Sequence, residues 1–415
     1  MSNAVVVEFP AVSVPGVRYA PLLWLALGAF AVGTESFMIA AILPKVAGDL
    51  RVSVTAAGQL VTAFALSYAV SSPILTTLTG KLERRTLLIA SMAAFAAANL
   101  IAAAATGYHW LIGARVLLAL AAGLYVPNAN ALASALVPPE RRARAIAVVN
   151  GGLTVAIALG VPLGALIGNH FGWRMTFVGV ALLGATAVVG LLGGLPKGVG
   201  AGLSTATLSE RLAVIRLRAV PSGLLLTTLW AIGGYTVYTY IAPYLAATTG
   251  ISGSHIGWVL FVWGASAGAG LFIGGTASDK LGAPRVIGAV LPVLALALLS
   301  LSLTAHTLSP RLALVPVVVA ISLWGVSAWA FYPAQQVRLI GFAGLKVAPI
   351  ILSLNASFMY LGFSLGAALG SFTLLHTAPA NLGWVGGAAE LLAAALFFVT
   401  RRGPQTPRSS EGKSA

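Results

Sequence analysis

The sequence predicts an all-α membrane protein of twelve transmembrane helices, arranged as two six-helix bundles related by a pseudo-two-fold. Three observations carry that prediction: composition, the spacing of apolar runs, and the placement of Lys and Arg. Of the 415 residues, 59% are hydrophobic and 8% charged, with a mean hydropathy of +0.95. Soluble domains carry roughly a quarter charged residues, so the deficit sets the class. A bilayer-crossing helix needs about 20 mostly apolar residues. Twelve runs meet that requirement, at 20–43, 54–79, 86–105, 110–136, 145–168, 174–195, 222–245, 255–277, 285–305, 314–339, 349–375 and 384–400.

The cations alternate in density from one break to the next. With both ends on one side, that side holds Arg18, then Lys81, Arg84 and Arg85, then Arg141, Arg142 and Arg144. It also holds Lys197, Arg211, Arg216 and Arg218, then Lys280, Arg285, Arg338 and Lys346, and finally Arg401, Arg402, Arg408 and Lys413. The other side has only Lys45, Arg51, Arg174 and Arg311. Lys and Arg collect on the cytoplasmic side of membrane proteins, so both termini are expected in the cytoplasm and the chain in the cell (inner) membrane. The net charge of +15 is therefore spread along alternate loops rather than gathered on one face, which argues against nucleic-acid binding. Cysteine is absent, which removes disulfides and thiolate metal sites.

The organisation follows in order. Residues 1–19, with Glu8 and two prolines, read as a cytoplasmic tail rather than a cleaved signal. Residues 20–195 form the first bundle, 196–221 a cytoplasmic central loop, 222–400 the second bundle and 401–415 a second tail. Within the central loop, Leu208-Ser-Glu-Arg-Leu-Ala-Val-Ile-Arg-Leu-Arg has the pattern of a short amphipathic helix lying on the membrane surface. The two bundles echo each other. At an offset of 199, Pro44, Ser53, Gly58 and Lys81-Leu82 match Pro243, Ser252, Gly257 and Lys280-Leu281. At 206, Pro127, Gly160 and Gly164 match Pro333, Gly366 and Gly370. A parallel duplication of this kind suits rocking transport about a site near the midplane.

One residue breaks the apolar pattern where it matters. Glu35 lies in the middle of the first run, nine residues before Pro44 and so about 13 Å below that end of the helix. A carboxylate at such depth is costly unless protonated, paired or facing water, which makes it a functional candidate. Arg115 lies inside the fourth run, which starts from the same surface, and its long side chain reaches the same depth. Burial disfavours an ionised carboxyl and a guanidinium favours it, so such a pair can load and release a proton as solvent access changes. Glu35 and Arg115 are thus the proton-coupling candidates, a static ion pair being the alternative. Glu390, six residues after Trp384 in the last run, is a second embedded acid.

Enzyme signatures are missing: there is no phosphate loop with lysine and no nucleophile–histidine–carboxylate set, so no catalytic residue is expected. His109, His170, His255, His306 and His376 are too dispersed for metal-ligand spacing. No cofactor and no metal are expected.

With Gly33-Thr-Glu35, Leu43-Pro44, Arg115, Pro138-Pro-Glu-Arg-Arg142, Gly160-Val-Pro162-Leu-Gly164 and Gly172-Trp-Arg174, residues 20–400 resemble the major facilitator superfamily. More narrowly they resemble its twelve-span drug:proton antiporters and the related arabinose, sugar and purine-nucleoside efflux permeases. The superfamily's inner-loop signature is complete at Gly275-Thr-Ala-Ser-Asp279-Lys-Leu-Gly282-Ala-Pro-Arg285, where the resemblance implies a charge latch involving Gly275, Asp279 and Arg285. Its first-bundle copy is degraded: Gly80 stands where the repeat has Asp279, leaving Glu83, Arg84 and Arg85 as substitutes or as ordinary positive-inside residues. The antiporter motif of the fifth span is imperfect, with Val161 before Pro162. Gly160, Pro162 and Gly164 read either as a coupling motif or as a close helix crossing bent at the proline.

The resemblance also implies a cavity lined by spans 1, 4, 7 and 10, with 2, 5, 8 and 11 contributing, and places the Glu390 span at the periphery. Candidate lining residues are Tyr68, Asn128, Asn130, Asn150, Trp230, Tyr235, Tyr238, Trp263, Tyr332, Gln335 and Asn355. Aromatics with scattered amides suit a bulky, partly apolar ligand. Trp110, Trp173 and Trp384 fall at span ends and are assigned to the interfacial belt. The function expected is proton-coupled efflux of a small, drug-like, neutral or zwitterionic compound by a monomer. Export of a sugar or nucleoside, and a facilitator or uptake symporter, are the alternatives.

Overall fold

The computed structural model describes residues 20–196, 198, 200 and 206–401, and every regular element among them is helical. Twelve helices are long and apolar enough to cross a bilayer. Spans 1–4 are Ala20–Asp49, Val54–Leu78, Arg84–Ala103 and Tyr108–Ala135. Span 5 is built from Arg142–Val155, a π-helical turn Ala156–Gly160, and Val161–His170; span 6 is Trp173–Gly194. Span 7 is Val220–Tyr238 and resumes as Ile241–Thr249. Spans 8–12 are Ile256–Leu281, Ala283–Thr307, Pro310–Ala343, Ala348–His376 and Leu382–Thr400. The tails expected at 1–19 and 401–415 lie outside the described residues, Arg401 excepted, as do residues 197, 199 and 201–205 of the central loop.

Three helices depart from the expected outlines, each at a proline. Span 1 does not stop at Pro44 but runs to Asp49, because Val46 and Ala47 are buried and Lys45 Nζ donates to the Gly168 and Asn169 carbonyls at 3.2 and 2.7 Å. That contact ties the turn after the proline to span 5 and offsets one missing backbone bond. In span 5, Pro162 has no N–H for the carbonyl four residues back, and the chain widens into the π turn just ahead of it, where the Val161 amide bonds to the Ala156 carbonyl. Span 7 breaks at Thr239–Tyr240, ahead of Pro243. The Tyr240 ring there occupies the notch over Gly58, and its hydroxyl donates to the Ala367 carbonyl at 3.2 Å.

The duplication read from the sequence reappears as packing. In the first bundle span 1 packs on 5 and 6, span 2 on 4, and span 3 on 4 and 6. In the second, span 7 packs on 11 and 12, span 8 on 10, and span 9 on 10 and 12, the same set displaced by six. The glycine rows explain two of these crossings. A β-carbon at Gly164 would lie 3.0 Å from the Met38 side chain, and one at Gly366 would lie 2.6 Å from the Ile232 carbonyl oxygen. Small residues every fourth position let the backbones approach, which is the main source of helix association where lipid competes with every apolar side chain. Large apolar residues such as Leu182, Val189, Phe272 and Leu296 remain on the lipid-facing perimeter.

The bundles meet along span 2 against span 11 and span 5 against span 8. On the face with few cations, Asn169 Nδ2 donates to the Gly253 carbonyl at 3.0 Å and Ser371 Oγ to the Thr55 carbonyl at 3.4 Å. Deeper in, Ser364 Oγ reaches the Thr62 carbonyl at 3.2 Å. On the basic face a connecting helix, Leu208–Ile215, spans the join. Thr207 and Glu210 close a capping box at its start. Val214 packs with Val220, Leu224, Leu339, Ile351 and Leu354. Arg211 is buried and donates to Ser353 Oγ of span 11 at 2.9 Å and to Thr76 Oγ1 of span 2 at 3.2 Å.

Trp173 corrects the belt assignment. It is 3% exposed and donates to Asp49 at 2.9 Å, while Arg174 pairs with the same carboxylate at 2.5 Å. A carboxylate within reach drew the indole inward. Trp110 and Trp384 are exposed, as an interfacial residue should be.

Candidate functional site

Glu35 and Arg115 meet. Arg115 Nη1 donates to Glu35 Oε1, and neither side chain is exposed to solvent. Arg115 Nε also donates to the Leu60 carbonyl at 3.1 Å, and its guanidinium lies 4.3 Å from the centre of the Phe64 ring. Glu35 Oε2 and Arg115 Nη2 have no hydrogen-bond partner. Neighbouring elements hold the acid in place. Gly160 seats directly on Thr34, where a β-carbon would meet the Thr34 hydroxyl, and Gly33 seats on Ala156. Gly160 and Gly164 thus brace the Glu35 helix by contact, and Pro162 supplies the π turn that carries Gly160 there.

The pair faces the second bundle. The hydroxyls of Tyr235 in span 7 and Tyr360 in span 11 are within electrostatic reach of Arg115. Tyr235 stacks on Phe363 with centroids 3.6 Å apart, and Phe37, two residues from Glu35, meets Tyr235, Tyr238, Trp329 and Phe363 edge-on or tilted at about 6 Å. Behind them is a cleft lined by Trp230, Ala231, Gly234, Tyr235, Tyr238, Trp263, Trp324, Ala328, Trp329 and Phe363. Its free volume is about 20 Å³, roughly that of one water, so the rings fill their own site. Trp230 Nε1 and Trp263 Nε1 are buried there without an acceptor.

Four of the eleven candidate lining residues, Trp230, Tyr235, Tyr238 and Trp263, line this cleft. The other seven do not. Tyr68 stacks on Tyr360 across the bundle join at 3.8 Å. Tyr332 lies behind Trp230, ring against ring at 6.0 Å. Asn128 accepts from Arg84 Nη1 at 2.6 Å and donates to the Leu124 carbonyl. Asn130 donates to Asn150 at 3.3 Å. Gln335 donates to the Gly223 carbonyl and Thr227, and Thr227 donates to Asn355 at 2.7 Å. These amides tie helices together, because a buried amide without a partner is expensive. Trp324, Trp329, Phe363 and Phe37 were missed. The available signal was an indole deep within a span, where the interfacial explanation cannot apply.

The expected latch residues are apart. Glu83, ahead of span 3, accepts from Thr86 Oγ1 at 2.6 Å and the Gly198 amide at 3.4 Å, which holds its carboxyl below the usual range. Arg84 is buried against Asn128, and Arg85 donates to the Leu195 and Leu192 carbonyls of its own bundle. Asp279 is exposed, Arg285 donates to the Leu281 carbonyl, and a β-carbon at Gly275 would meet open space. Among the described residues Arg115–Glu35 and Arg174–Asp49 are ion pairs, whereas Asp279 and Arg285 form no ion pair with each other in this conformation.

Comparison with known proteins gives a consistent picture. The model of the Major Facilitator Superfamily matches residues 25–337 and 223–415. The MFS-type transporter YbcL of Bacillus subtilis is 35% identical over 370 residues, covering 89% of this chain and 92% of the relative. The inner membrane transport protein YdhP of Escherichia coli K12 is 33% identical, with 93% and 97% covered. A chloramphenicol resistance protein of Streptomyces lividans is 32% identical, with 91% and 94% covered. A bacterial homologue of the lysosomal transporter Spinster, in an inward-facing conformation, superimposes with a TM-score of 0.75 at 20% identity, covering 94% of this chain and 98% of that one.

Proposed function

This chain belongs to the major facilitator superfamily, and on that premise we propose that it exports a small, neutral or zwitterionic, drug-like compound in exchange for protons. Transport itself comes with the family; the cargo and the proton are our reading. The observation that carries it is the sealed Glu35–Arg115 pair set beside Tyr235, which is also a wall of the aromatic cleft. A charge pair this deep persists only if each partner neutralises the other. A proton arriving on Glu35 removes one charge and leaves Arg115 with the Leu60 carbonyl and the Phe64 face alone, which changes the conformation the bundles prefer. Cargo between the rings and a proton on Glu35 then favour opposite states, and the two species exchange. One proton falling through about 100 mV releases roughly 2.3 kcal/mol, and a pH unit adds about 1.4. Together these support a gradient of several hundredfold for a neutral compound.

The cleft has no charged lining, which supports an uncharged cargo. Its two free indole N–H groups suit a planar compound bearing carbonyl or nitro oxygens. The chloramphenicol resistance relative supports efflux and makes chloramphenicol the first probe. Export of a nucleoside is the rival: the stacked rings suit a base, but Asn128, Gln335 and Asn355, which would serve its ribose, do not line the cleft. The excess of Lys and Arg on one face supports the cytoplasmic membrane with both termini inside. Asp279 and Arg285 are proposed to form their latch only when the opposite face opens.

Proteoliposomes with an acidic lumen test the exchange. Chloramphenicol is expected to accumulate inside as protons leave. A symporter would drive it out, and a facilitator would ignore the gradient. Glu35→Gln is expected to abolish accumulation while retaining downhill equilibration. Accumulation by this variant at the wild-type rate overturns the proposal.

A further inference from the structure

Glu390 takes no part in this exchange, yet its surroundings are unusual. It lies eight residues into span 12 and ten from its end, so about 12 and 15 Å from the two helix ends. Its family position is peripheral, but the side chain points inward and has no solvent exposure. Neither carboxyl oxygen makes a hydrogen bond of normal geometry, although the Gly234 backbone lies close. The carboxyl occupies a notch over Gly233 of span 7, where a β-carbon would stand 2.5 Å from Oε1 and 2.7 Å from Cγ. Gly386, one turn earlier, packs on the Gly233 carbonyl, so the two helices are in backbone contact there. Trp230 and Gly234, about 60° and 100° round span 7 from Gly233, line the aromatic cleft.

Among the described residues no cation pairs with this acid. Among the elements packed on span 12, span 7 offers Tyr235, engaged with Phe363, and Tyr238, bonded to the Phe37 carbonyl. Span 9 offers only Arg285 and His306 near its ends, bonded to Leu281 and Asn381. Span 11 offers Tyr360, stacked on Tyr68, and His376, bonded to Phe372. Arg338 of span 10 reaches span 12 only at Phe397 and Thr400, about 10 Å farther along the axis. An unpaired carboxylate in such a place is far more costly than a neutral acid, which needs only room.

We infer that Glu390 is a second proton-binding site, holding its proton in this conformation and acting as a neutral wedge that fixes span 12 against the glycine notch of span 7. Loss of that proton drives the helices apart at Gly233 and shifts the Trp230 and Gly234 wall of the cleft. The device senses pH whether or not Glu35 couples protons to cargo.

Infrared spectra of purified Glu35→Gln protein at neutral pH test the bound proton directly. A protonated-carboxyl band is expected, and it should vanish in the Glu35→Gln/Glu390→Gln double variant. Absence of the band in the single variant overturns the proposal, even if no Glu390 variant folds. Tryptophan emission and melting temperature, followed as the pH is raised above neutral, test the wedge. Wild type and Glu35→Gln should show an alkaline transition that Glu390→Gln lacks. An identical transition in Glu390→Gln also overturns it.

Discussion

Arg115 of span 4 donates to the carboxylate of Glu35 in span 1 inside a shell from which water is excluded. Removing one partner leaves a lone buried charge, so Arg115→Ala is expected to lower stability by about 3–5 kcal/mol. The Glu35→Gln/Arg115→Gln double variant should recover much of that loss. Unfolding in detergent micelles measures both, and strictly additive losses would show that the two residues are uncoupled.

The free indole donors of the cleft make a second prediction. Trp230→Phe and Trp263→Phe keep the ring surface and lose the N–H groups that have no acceptor in the protein. Each is expected to weaken chloramphenicol binding about 2- to 12-fold, the equivalent of one hydrogen bond. Trp110→Phe, on the exposed perimeter, should leave affinity unchanged. Equilibrium dialysis gives the comparison.

Span 8 crosses span 5 at Gly264, where a β-carbon would stand 2.8 Å from the Ala158 α-carbon and closer still to the Ile157 carbonyl. Backbone cannot yield as a side-chain tip does. Gly264→Ala should cost about 1–3 kcal/mol by overpacking. Gly151→Ala in span 5, which meets nothing, should be neutral or slightly stabilising through helix propensity. Melting temperatures of the two variants separate these outcomes.

The connecting helix is sensitive to acid at its start. The Thr207 backbone N–H and hydroxyl donate to the Glu210 carboxylate and hold it below the ordinary carboxyl range. A depressed value means that the cap is fully present above the unfolded-state value and is lost as pH falls through the folded one. The protection of the amides over residues 207–215, relative to their intrinsic exchange rates, should therefore fall below about pH 4.5, and Glu210→Gln should show no such step. A pH-independent protection in the wild type would contradict the capping role.

The twelve spans, the duplication and the meeting of Glu35 with Arg115 were legible because each rests on one-dimensional facts: run length, offset and depth along a helix axis. The cleft was legible only in part. Depth says that Asn128 and Gln335 are buried; it does not say which way they point, and both turned to helix partners. Trp173 was misassigned for the same reason, since Asp49, its acceptor, is 124 residues away in sequence. The bend at Pro162 was visible; the break ahead of Pro243 was not, because the run 222–245 reads as one continuous span. Their form, a π turn in one case and a full break in the other, depended on Thr34 and Gly58 across the interface.

Arg211 has a consequence for engineering. Its guanidinium is shared between Thr76 and Ser353, so the linker is stitched to both bundles rather than draped beneath them. Hybrids that swap one bundle for that of a relative must carry the matching stitch point, Thr76 with the front bundle or Ser353 with the rear. A fusion cut inside 208–215 strands a cation among apolar side chains, whereas the cut that respects modularity falls ahead of Thr207.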